Sequence, residues 1–533
     1  MALPERAPDL PVAQILADRA REAPDEDFLL FRGQPLSYGQ ADEEARWLAA
    51  ALANMGIEPG DRVAVILPSC PEFVLSFFAL ARLGVVLVPM NPRLAEAELR
   101  YMLRHSEAVC AITVESLYGV DYLQLFEELL PQLPELQYLV TVGEEDLWYD
   151  DRIYQFEDLV SAGRGREIEN PVEEDPDALF TIVYTSGTTG KPKGVELTRR
   201  NLLHAAAATA RGVGIQADDR IIGVTALFHV FGLGPGVLGT ALAGATLVLQ
   251  DEVEPGESLD LIQRHEVTVH YGVPMLFVSE LYEQRRVPRD VSSLRVGLVA
   301  GAPMVEESLT AVEAELCPLL LTAYSLTETA STLCLSVPDD PGQKRRFTVG
   351  RPVEDTTIRV VEEDGSQLPV ESLGELVVKG PGVMRGYYRQ PRETAASFGE
   401  DGFFRTGDLG IVDEEGYVHL VGRRKDVIIR GGSNVYPREV EDRLHAHPAV
   451  LEAAVVGVRD QLLGEAICAA IVPMEGAIVT EEEVQEWCRE TLADHKVPDL
   501  VRFLDAFPTT GTGKIRRVEL TRLIEAERKP PVS

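Results

Sequence analysis

Between positions 185 and 195 the chain reads Thr185-Ser186-Gly187-Thr188-Thr189-Gly190-Lys191-Pro192-Lys193-Gly194-Val195. Glycines, hydroxyls and lysines at this density make poor core material. They suit an anion: glycine lets backbone N–H groups approach it, the hydroxyls donate to it, and Lys191 and Lys193 supply charge. The chemistry indicated is the holding of phosphate. The spacing is not that of the Walker A loop, because Gly187 and Gly190 stand too close together and Pro192 follows Lys191. A flexible polar turn is the plain alternative. A second group, Phe228-His229-Val230-Phe231-Gly232-Leu233-Gly234, reads as a pocket wall, or else as a packed turn around a hydrogen-bonded histidine. His265 and His270 are one residue too far apart for a helical zinc pair, and Val267-Thr268-Val269 reads as strand, so no metal is assigned there.

These residues need elements to hold them. The run 180–184 (FTIVY) reads as a buried strand that delivers Thr185, and Thr198 as the N-cap of an Ala-rich helix over 201–210. From Leu10 to about Asn170, helices (11–22, 39–55, 71–83, 95–105) alternate with strands (62–67, 85–89, 109–114), the pattern of a parallel sheet covered by helices. The apolar run 73–90 is broken by Arg82 and Gly84, and reads as a buried helix, a turn and a buried strand instead of a membrane span. The acidic segment 144–151 reads as a surface loop. A second unit begins near Asp177, with strands at 221–227 (ending at the Phe228 group), 296–299 and 319–323. Asp339–Arg346 reads as a polar loop. A β-rich part follows, with strands at 357–361, 374–378 and 417–420 and turns at Asp364-Gly365 and Glu415-Gly416. The last stretch reads as helix 437–446, strands 452–458 and 466–473, and helix 481–493.

Composition sets bounds. The length, 533 residues, suits three to four domain-sized units. Lys and Arg number 50 against 86 Asp and Glu, a formal net charge of −36, which argues against nucleic acid or an anionic membrane surface as partner. A phosphorylated substrate must therefore be held by local lysines, arginines and backbone dipoles. The six cysteines (70, 110, 317, 334, 468, 488) are scattered without a C-x-x-C pair, and the N-terminus shows no secretory pattern, so the expectation is a cytoplasmic protein with reduced thiols. Monomer and homodimer are both left open.

The string 185–195 resembles the signature of the AMP-forming acyl-adenylate superfamily, which includes acyl- and aryl-CoA ligases, peptide-synthetase adenylation domains and firefly-type luciferases. The chain is most similar to the bacterial medium- and long-chain fatty acyl-CoA ligases. Further motifs of the family follow in order, and the resemblance spans nearly the whole chain. Ala300-Gly301-Ala302-Pro303 resembles its adenine-side loop. Tyr324-Ser325-Leu326-Thr327-Glu328-Thr329 resembles its Tyr-Gly-x-Thr-Glu motif, with Ser325 where glycine is usual, beside the acyl tunnel. Gly374-Glu375-Leu376 and Gly386-Tyr387-Tyr388 match landmarks, Phe404 to Asp408 matches a further family motif, in which Asp408 taken alone reads as a turn aspartate, Gly422 to Asp426 matches the domain hinge, and Pro508 to Ile515 the catalytic-lysine loop.

The resemblance implies an α/β fold: a large N-terminal domain (1–422) of parallel-sheet α/β subdomains plus a β-rich subdomain, a hinge (423–426), and a small mobile α+β C-terminal domain (427–533). It implies ATP, Mg2+ and coenzyme A as cofactors, and a small carboxylic acid as the other partner. Lys514, Thr185, Glu328 and His229 are the implied catalytic residues, with Glu328 and Thr185 at the metal. Ser186, Gly187, Thr188, Thr189, Gly190, Lys191 and Lys193 would cradle phosphate. Gly301, Ala302, Pro303, Tyr324 and Ser325 would lie along the adenine, Thr327 on the α-phosphate, Asp408 on the ribose, Arg423 on ribose or phosphate, and Gly432 on the pantetheine channel. Phe228, His229, Val230, Phe231, Val273 and Ser325 would form the acid pocket, and Lys425 the hinge. The activity implied is an AMP-forming acid–CoA ligase for a fatty acid. The alternatives are an aryl or other acid, or an adenylating enzyme with a non-CoA acceptor; a luciferase-like oxidase and a catalytically dead sensor share the fold.

Overall fold

The structure is a computed structural model that describes residues 9–143, 151–168, 175–185, 191–223, 226–302, 304–474, 476–509 and 515–528. Ser186, Gly187, Thr188, Thr189, Gly190, Pro303, Lys514 and the acidic segment 144–150 lie outside the described residues.

Two large sheets share one core. The first runs Gly386–Tyr387, Lys193–Thr198, Leu179–Thr185, Val86–Pro89, Arg62–Ile66, Cys110–Val114, Tyr138–Val142, Ile153–Gln155. The second runs Arg351–Pro352, Ser331–Leu335, Leu320–Leu326, Val296–Ala300, Val269–Gly272, Arg220–Ile222, Thr246–Leu249, Asp27–Phe31, Gln34–Ser37. The inner strands of both are parallel and joined through helices, as the alternation predicts. The division into units along the chain differs from the expectation. The phosphate-loop strand Leu179–Thr185 joins the first sheet, beside Val86–Pro89, and the early hairpin Asp27–Ser37 joins the second, where Leu29 pairs with Leu247.

The helix Pro71–Leu83 explains the join. It is buried almost all round, because it packs between the sheets: Phe77 meets Phe180 of the first at 5.2 Å, and Phe78 meets Phe28 of the second at 6.1 Å. A helix apolar on every side has no solvent face, and each fully buried aromatic contributes about 1.5–3 kcal/mol. It ends where predicted, at Gly84 with φ +67°. Among the described residues no helix is long and apolar enough to cross a membrane.

Four antiparallel strands, Thr357–Val361, Gly374–Lys379, Phe404–Val412 and Val418–Arg423, form a third sheet. Beyond it the core changes. The last large-cluster residue is Val418, and two separate clusters lie beyond it, one starting at Ile428 and the other at Ala454. The C-terminal strand Val450–Asp460 alternates between them, Ala453 and Val455 facing one and Ala454 and Val456 the other.

Three local expectations are corrected. The strand expected at 221–227 is Arg220–Ile222 in the described residues, and a turn at Leu227 to His229 leads through Val230 and Phe231 into a π-helical segment, Gly232–Leu238. Asp339–Arg346 is not all loop: a short helix, Gly342–Phe347, takes its second half, with Lys344 held by Asp413 at 2.6 Å. The helix expected over 481–493 stops at Arg489.

Candidate active site

The phosphate-loop strand and its return pair closely. Thr185 lies opposite Lys193 and Tyr184 opposite Gly194, so the loop between them springs from a tight antiparallel base. Thr198 caps the following helix as predicted, accepting from the Asn201 amide at 3.2 Å while the Asn201 side chain accepts from the Thr198 amide at 2.8 Å. Asn201 also donates to the carbonyls of Pro381 (2.6 Å) and Val383 (3.0 Å), tying the helix to the segment that precedes Gly386–Tyr387.

That segment positions Glu328. The Met384 amide donates to the Glu328 carbonyl at 2.9 Å, and the Tyr387 hydroxyl donates to Glu328 Oε1 at 2.9 Å. Burial, with the Glu328 carboxylate beside it, pushes the Tyr387 phenol far above its ordinary pKa, so it stays a donor. Val195 pairs with Tyr387, and Lys193 Nζ stands 4.4 Å from the Tyr387 ring centre. Tyr387 thus joins the base of the phosphate loop to the carboxylate of the Thr-Glu motif. The sequence marks Gly386-Tyr387-Tyr388 only as a landmark; the role of Tyr387 depends on a contact to a residue 59 positions away.

Tyr324 and Asp408 meet directly. Tyr324 lies within the strand Leu320–Leu326, and its hydroxyl donates to Asp408 Oδ2 at 2.5 Å, with both residues buried. Asp408 is on the strand Phe404–Val412, not in a turn, and its Oδ1 is 3.0 Å from Arg423 Nε. The Asp408 charge is the main cause of a raised Arg423 pKa, and burial followed by that charge keeps the Tyr324 phenol protonated. Thr327 and Glu328 form a single helical turn at the strand's end. Ser325 pairs with Thr332 across an irregularity in register at Tyr324.

On the other side, Val273 stands at the N-terminal boundary of the helix Pro274–Arg286. A Cβ on Gly301 would lie 3.5 Å from Val273 Cγ1, so the Gly301-Ala302 turn and the expected acid pocket adjoin. Val230 is buried, and Phe231 packs edge-on to Tyr271 at 5.4 Å. The turn carrying Phe228 and His229 is held by its own backbone, His229 to Ala226 at 3.1 Å, and by Ser69, in the bend after the strand Arg62–Ile66, whose Oγ accepts from the Leu227 amide at 3.4 Å. Gly232 is needed there, since a Cβ would fall 2.2 Å from the Ala226 carbonyl oxygen. The hairpin Ile428–Val435 turns at Gly431 and Gly432, the latter exposed with φ +85°. Lys425 is exposed in the single turn Arg424–Asp426. His270 is buried and bonded to Glu280 at 2.7 Å.

The donor set suits a magnesium ion. Among the described residues no cluster of three or more His, Cys, Asp or Glu could hold a metal. A single oriented carboxylate such as that of Glu328 fits an ion that takes most of its ligands from phosphate oxygens and water.

Comparison with known proteins agrees with this geometry. The sequence profile of AMP-binding enzymes matches residues 16–388, and that of the AMP-binding enzyme C-terminal domain matches residues 439–514. A putative acyl-CoA synthetase of Bacillus subtilis is 35% identical over 96% of this chain and 96% of its own. A long-chain-fatty-acid–CoA ligase of the same organism is 33% identical, covering 98% of this chain and 95% of its own. The solved o-succinylbenzoate coenzyme A synthetase of Bacillus subtilis, in complex with ATP and magnesium ion, superposes with a TM-score of 0.82 at 31% identity, covering 95% of this chain and 98% of that one. The chain belongs to the AMP-binding enzyme family and is an AMP-forming acyl-CoA synthetase, a ligase that uses ATP, Mg2+ and coenzyme A.

Proposed function

We propose that the acid activated is a medium- or long-chain fatty acid, in a cytoplasmic enzyme whose domains divide at 422 and 427 about the hinge 423–426. The observation that carries the acid class is the apolar wall beside the nucleotide residues: buried Val230, Phe231 packed on Tyr271, and Val273 against Gly301. The long-chain relative supports it. An aryl acid is the second reading, favoured by the edge-on Phe231–Tyr271 pair and by the o-succinylbenzoate relative. The change of core between Val418 and Ile428 supports the domain division, and six buried cysteines fit a reducing compartment.

In the first half-reaction the acid's carboxylate attacks the α-phosphorus of ATP, and pyrophosphate leaves. Both reactants are anions, so positioning and neutralisation do most of the work. In this reading Tyr324 lies along the adenine, Asp408 accepts from the ribose hydroxyls, Thr327 donates to the α-phosphate, and His229 lies beside the incoming carboxylate. Lys514 stabilises the charge shared by carboxylate and phosphate. Glu328 and Thr185 would hold Mg2+, which neutralises charge on the phosphates when bound. In the second half-reaction the C-terminal domain turns about Lys425, Gly432 lines the pantetheine channel, and the CoA thiol attacks the acyl-adenylate to give thioester and AMP.

Pyrophosphate release from ATP, measured with a panel of alkyl and aryl acids with and without CoA, tests the reading. CoA-dependent AMP and thioester with alkyl acids are expected. Aryl acids alone would move the substrate class, and pyrophosphate without thioester would point to another acceptor.

A smaller effect follows at Glu328. Tyr387→Phe removes one hydrogen bond to its carboxylate, worth about 1 kcal/mol. The Mg2+ concentration for half-maximal pyrophosphate release should rise roughly five-fold, with little change in KM for the acid. An unchanged Mg2+ titration would remove Tyr387 from the site.

A further inference from the structure

The returning limb of the phosphate loop is held from outside the loop. Lys191 and Pro192 lead into the strand Lys193–Thr198. Pro192 has no N–H, so its carbonyl is the backbone group by which it can be tied, and the residue before a proline is pressed toward extended backbone. The Tyr101 hydroxyl donates to that carbonyl at 3.2 Å. The same ring lies beside Lys191, whose Nζ is 5.7 Å from its centre, within the range over which an aromatic face attracts an ammonium. One tyrosine of the helix Glu96–Ser106 thus grips both residues of the limb.

Tyr101 is itself fixed. The His105 ring, one helical turn on, stacks on it at 5.5 Å and 22°. His105 Nδ1 is 2.8 Å from the Tyr184 hydroxyl, and Tyr184 belongs to the strand that enters the loop, one residue before Thr185. Tyr388 closes the group. Its ring meets His105 edge-on at 5.7 Å, and its amide donates to the Gly194 carbonyl at 2.7 Å. Gly194 lies opposite Tyr184 across the hairpin. His105 therefore touches the entering strand directly, and the returning one through Tyr101 and Tyr388. Burial, followed by the Arg389 charge, lowers the His105 pKa against the opposing pull of Glu107. The imidazole is neutral at pH 7, and it bonds Tyr184 without adding a cation to the cluster.

Tyr101, His105, Tyr184 and Tyr388 are half-buried and meet one another, whereas Lys191 is exposed. The lysine is the group that can meet an anion, and the tyrosine beside it sets where it stands.

We propose that Tyr101, backed by His105, is a positioning residue for the two phosphates of ATP that leave as pyrophosphate: it fixes Lys191 and Pro192 so that the lysine is held toward them. The proposal rests on the reading of residues 185–193 as a phosphate cradle and deepens it. The acyl-adenylate has already lost those phosphates. The cluster should therefore matter for adenylation and for its reversal, and not for thioester formation.

The experiment follows three reactions: pyrophosphate release from ATP and acid, the reverse formation of ATP from supplied acyl-adenylate and pyrophosphate, and thioester formation from acyl-adenylate and CoA. Tyr101→Phe keeps the ring beside Lys191 and loses the bond to Pro192, so KM for ATP and for pyrophosphate should rise roughly five-fold. Tyr101→Leu loses both contacts and should raise them roughly ten-fold or more. His105→Ala, which releases the Tyr101 ring, should change them in the same direction. Thioester formation should be unchanged in all three variants. Equal slowing of all three reactions would mark a purely structural role and overturn the proposal. Lys191→Ala separates the proposal from the reading beneath it. A raised KM for pyrophosphate in Lys191→Ala, with none in either Tyr101 variant, overturns the positioning role and leaves the cradle standing. An unchanged KM in Lys191→Ala overturns both. Tyr101→Phe preserves size and shape, so the test stands even where Tyr101→Leu does not fold.

Discussion

Lys514→Ala should slow pyrophosphate release by roughly two to three decades, the cost of about 3–4 kcal/mol when one preorganised charge is removed from a developing anion. The chain carries a net charge of −36 and the two reactants are themselves anions, so no general field of the protein compensates for the loss. The effect should be confined to one half-reaction. Thioester formation from supplied acyl-adenylate should retain most of its rate, because Lys514 and Gly432 serve different steps in the proposed cycle. The flanks of the lysine loop suit such a division. Thr509 pairs with Ile515, closing the loop's base. Arg517 then reaches Glu441 at 2.7 Å and Asp426, next to Lys425, at 3.7 Å. The base of the loop is thereby tied to the C-terminal helix Pro437–His445 and to the expected hinge, and the lysine should travel with them. Equal loss in both half-reactions would contradict this division.

What the sequence reveals and what it hides follow from the range of each interaction. Leu179–Thr185 is legible because a β-branched and aromatic run ends in turn-forming residues, and Pro71–Leu83 because Pro opens it and Gly84 closes it. Thr198 is legible because a cap bonds within three residues of itself. Phe228 to Gly234 misleads for the opposite reason. Gly232, Gly234, Pro235 and Gly236 argue for irregular chain, yet the whole segment Gly232–Leu238 is buried and helical, and Gly232 is there to let the helix touch the Ala226 carbonyl. The hairpin Asp27–Ser37 pairs with Thr246–Leu249, more than two hundred positions on, a partnership that no local pattern contains. Gly342–Phe347 reads as loop because it is short and basic, although Lys344, stacked near Tyr417 and bonded to Asp413, anchors it to the third sheet.

The site shows the same limit. The residue types of Glu328, Tyr324 and Asp408 can be read along the chain, but their coupling cannot. Tyr387 on Glu328 and Tyr324 on Asp408 bring together different sheets, and Arg423 reaches Asp408 from the neighbouring strand of the third sheet, so the order in which the carboxylates are held exists only in the folded chain.

That coupling makes Asp408→Asn the second large effect. Asparagine keeps the shape but loses the charge, and its amide nitrogen turns a donor toward either Tyr324 or Arg423, each of which already donates. Hydrogen bonds to a charged acceptor are worth about 1.5–3 kcal/mol. The loss of that acceptor for the ribose, with one clash of donors, should cost about 3 kcal/mol, or roughly a hundredfold in kcat/KM for ATP. Unlike Lys514→Ala, this change should weaken both half-reactions, because the acyl-adenylate carries the same ribose. Tyr324→Phe separates the parts: it keeps a ring for the adenine and removes one donor from Asp408, so KM for ATP should rise less than about ten-fold. In the double variant the two costs should not add, since the Tyr324–Asp408 bond can be lost only once. A KM for ATP within about twofold of wild type in Asp408→Asn, well below what one charged hydrogen bond supplies, would mean that the ribose is held elsewhere and that the buried Tyr324–Asp408–Arg423 chain serves the fold alone.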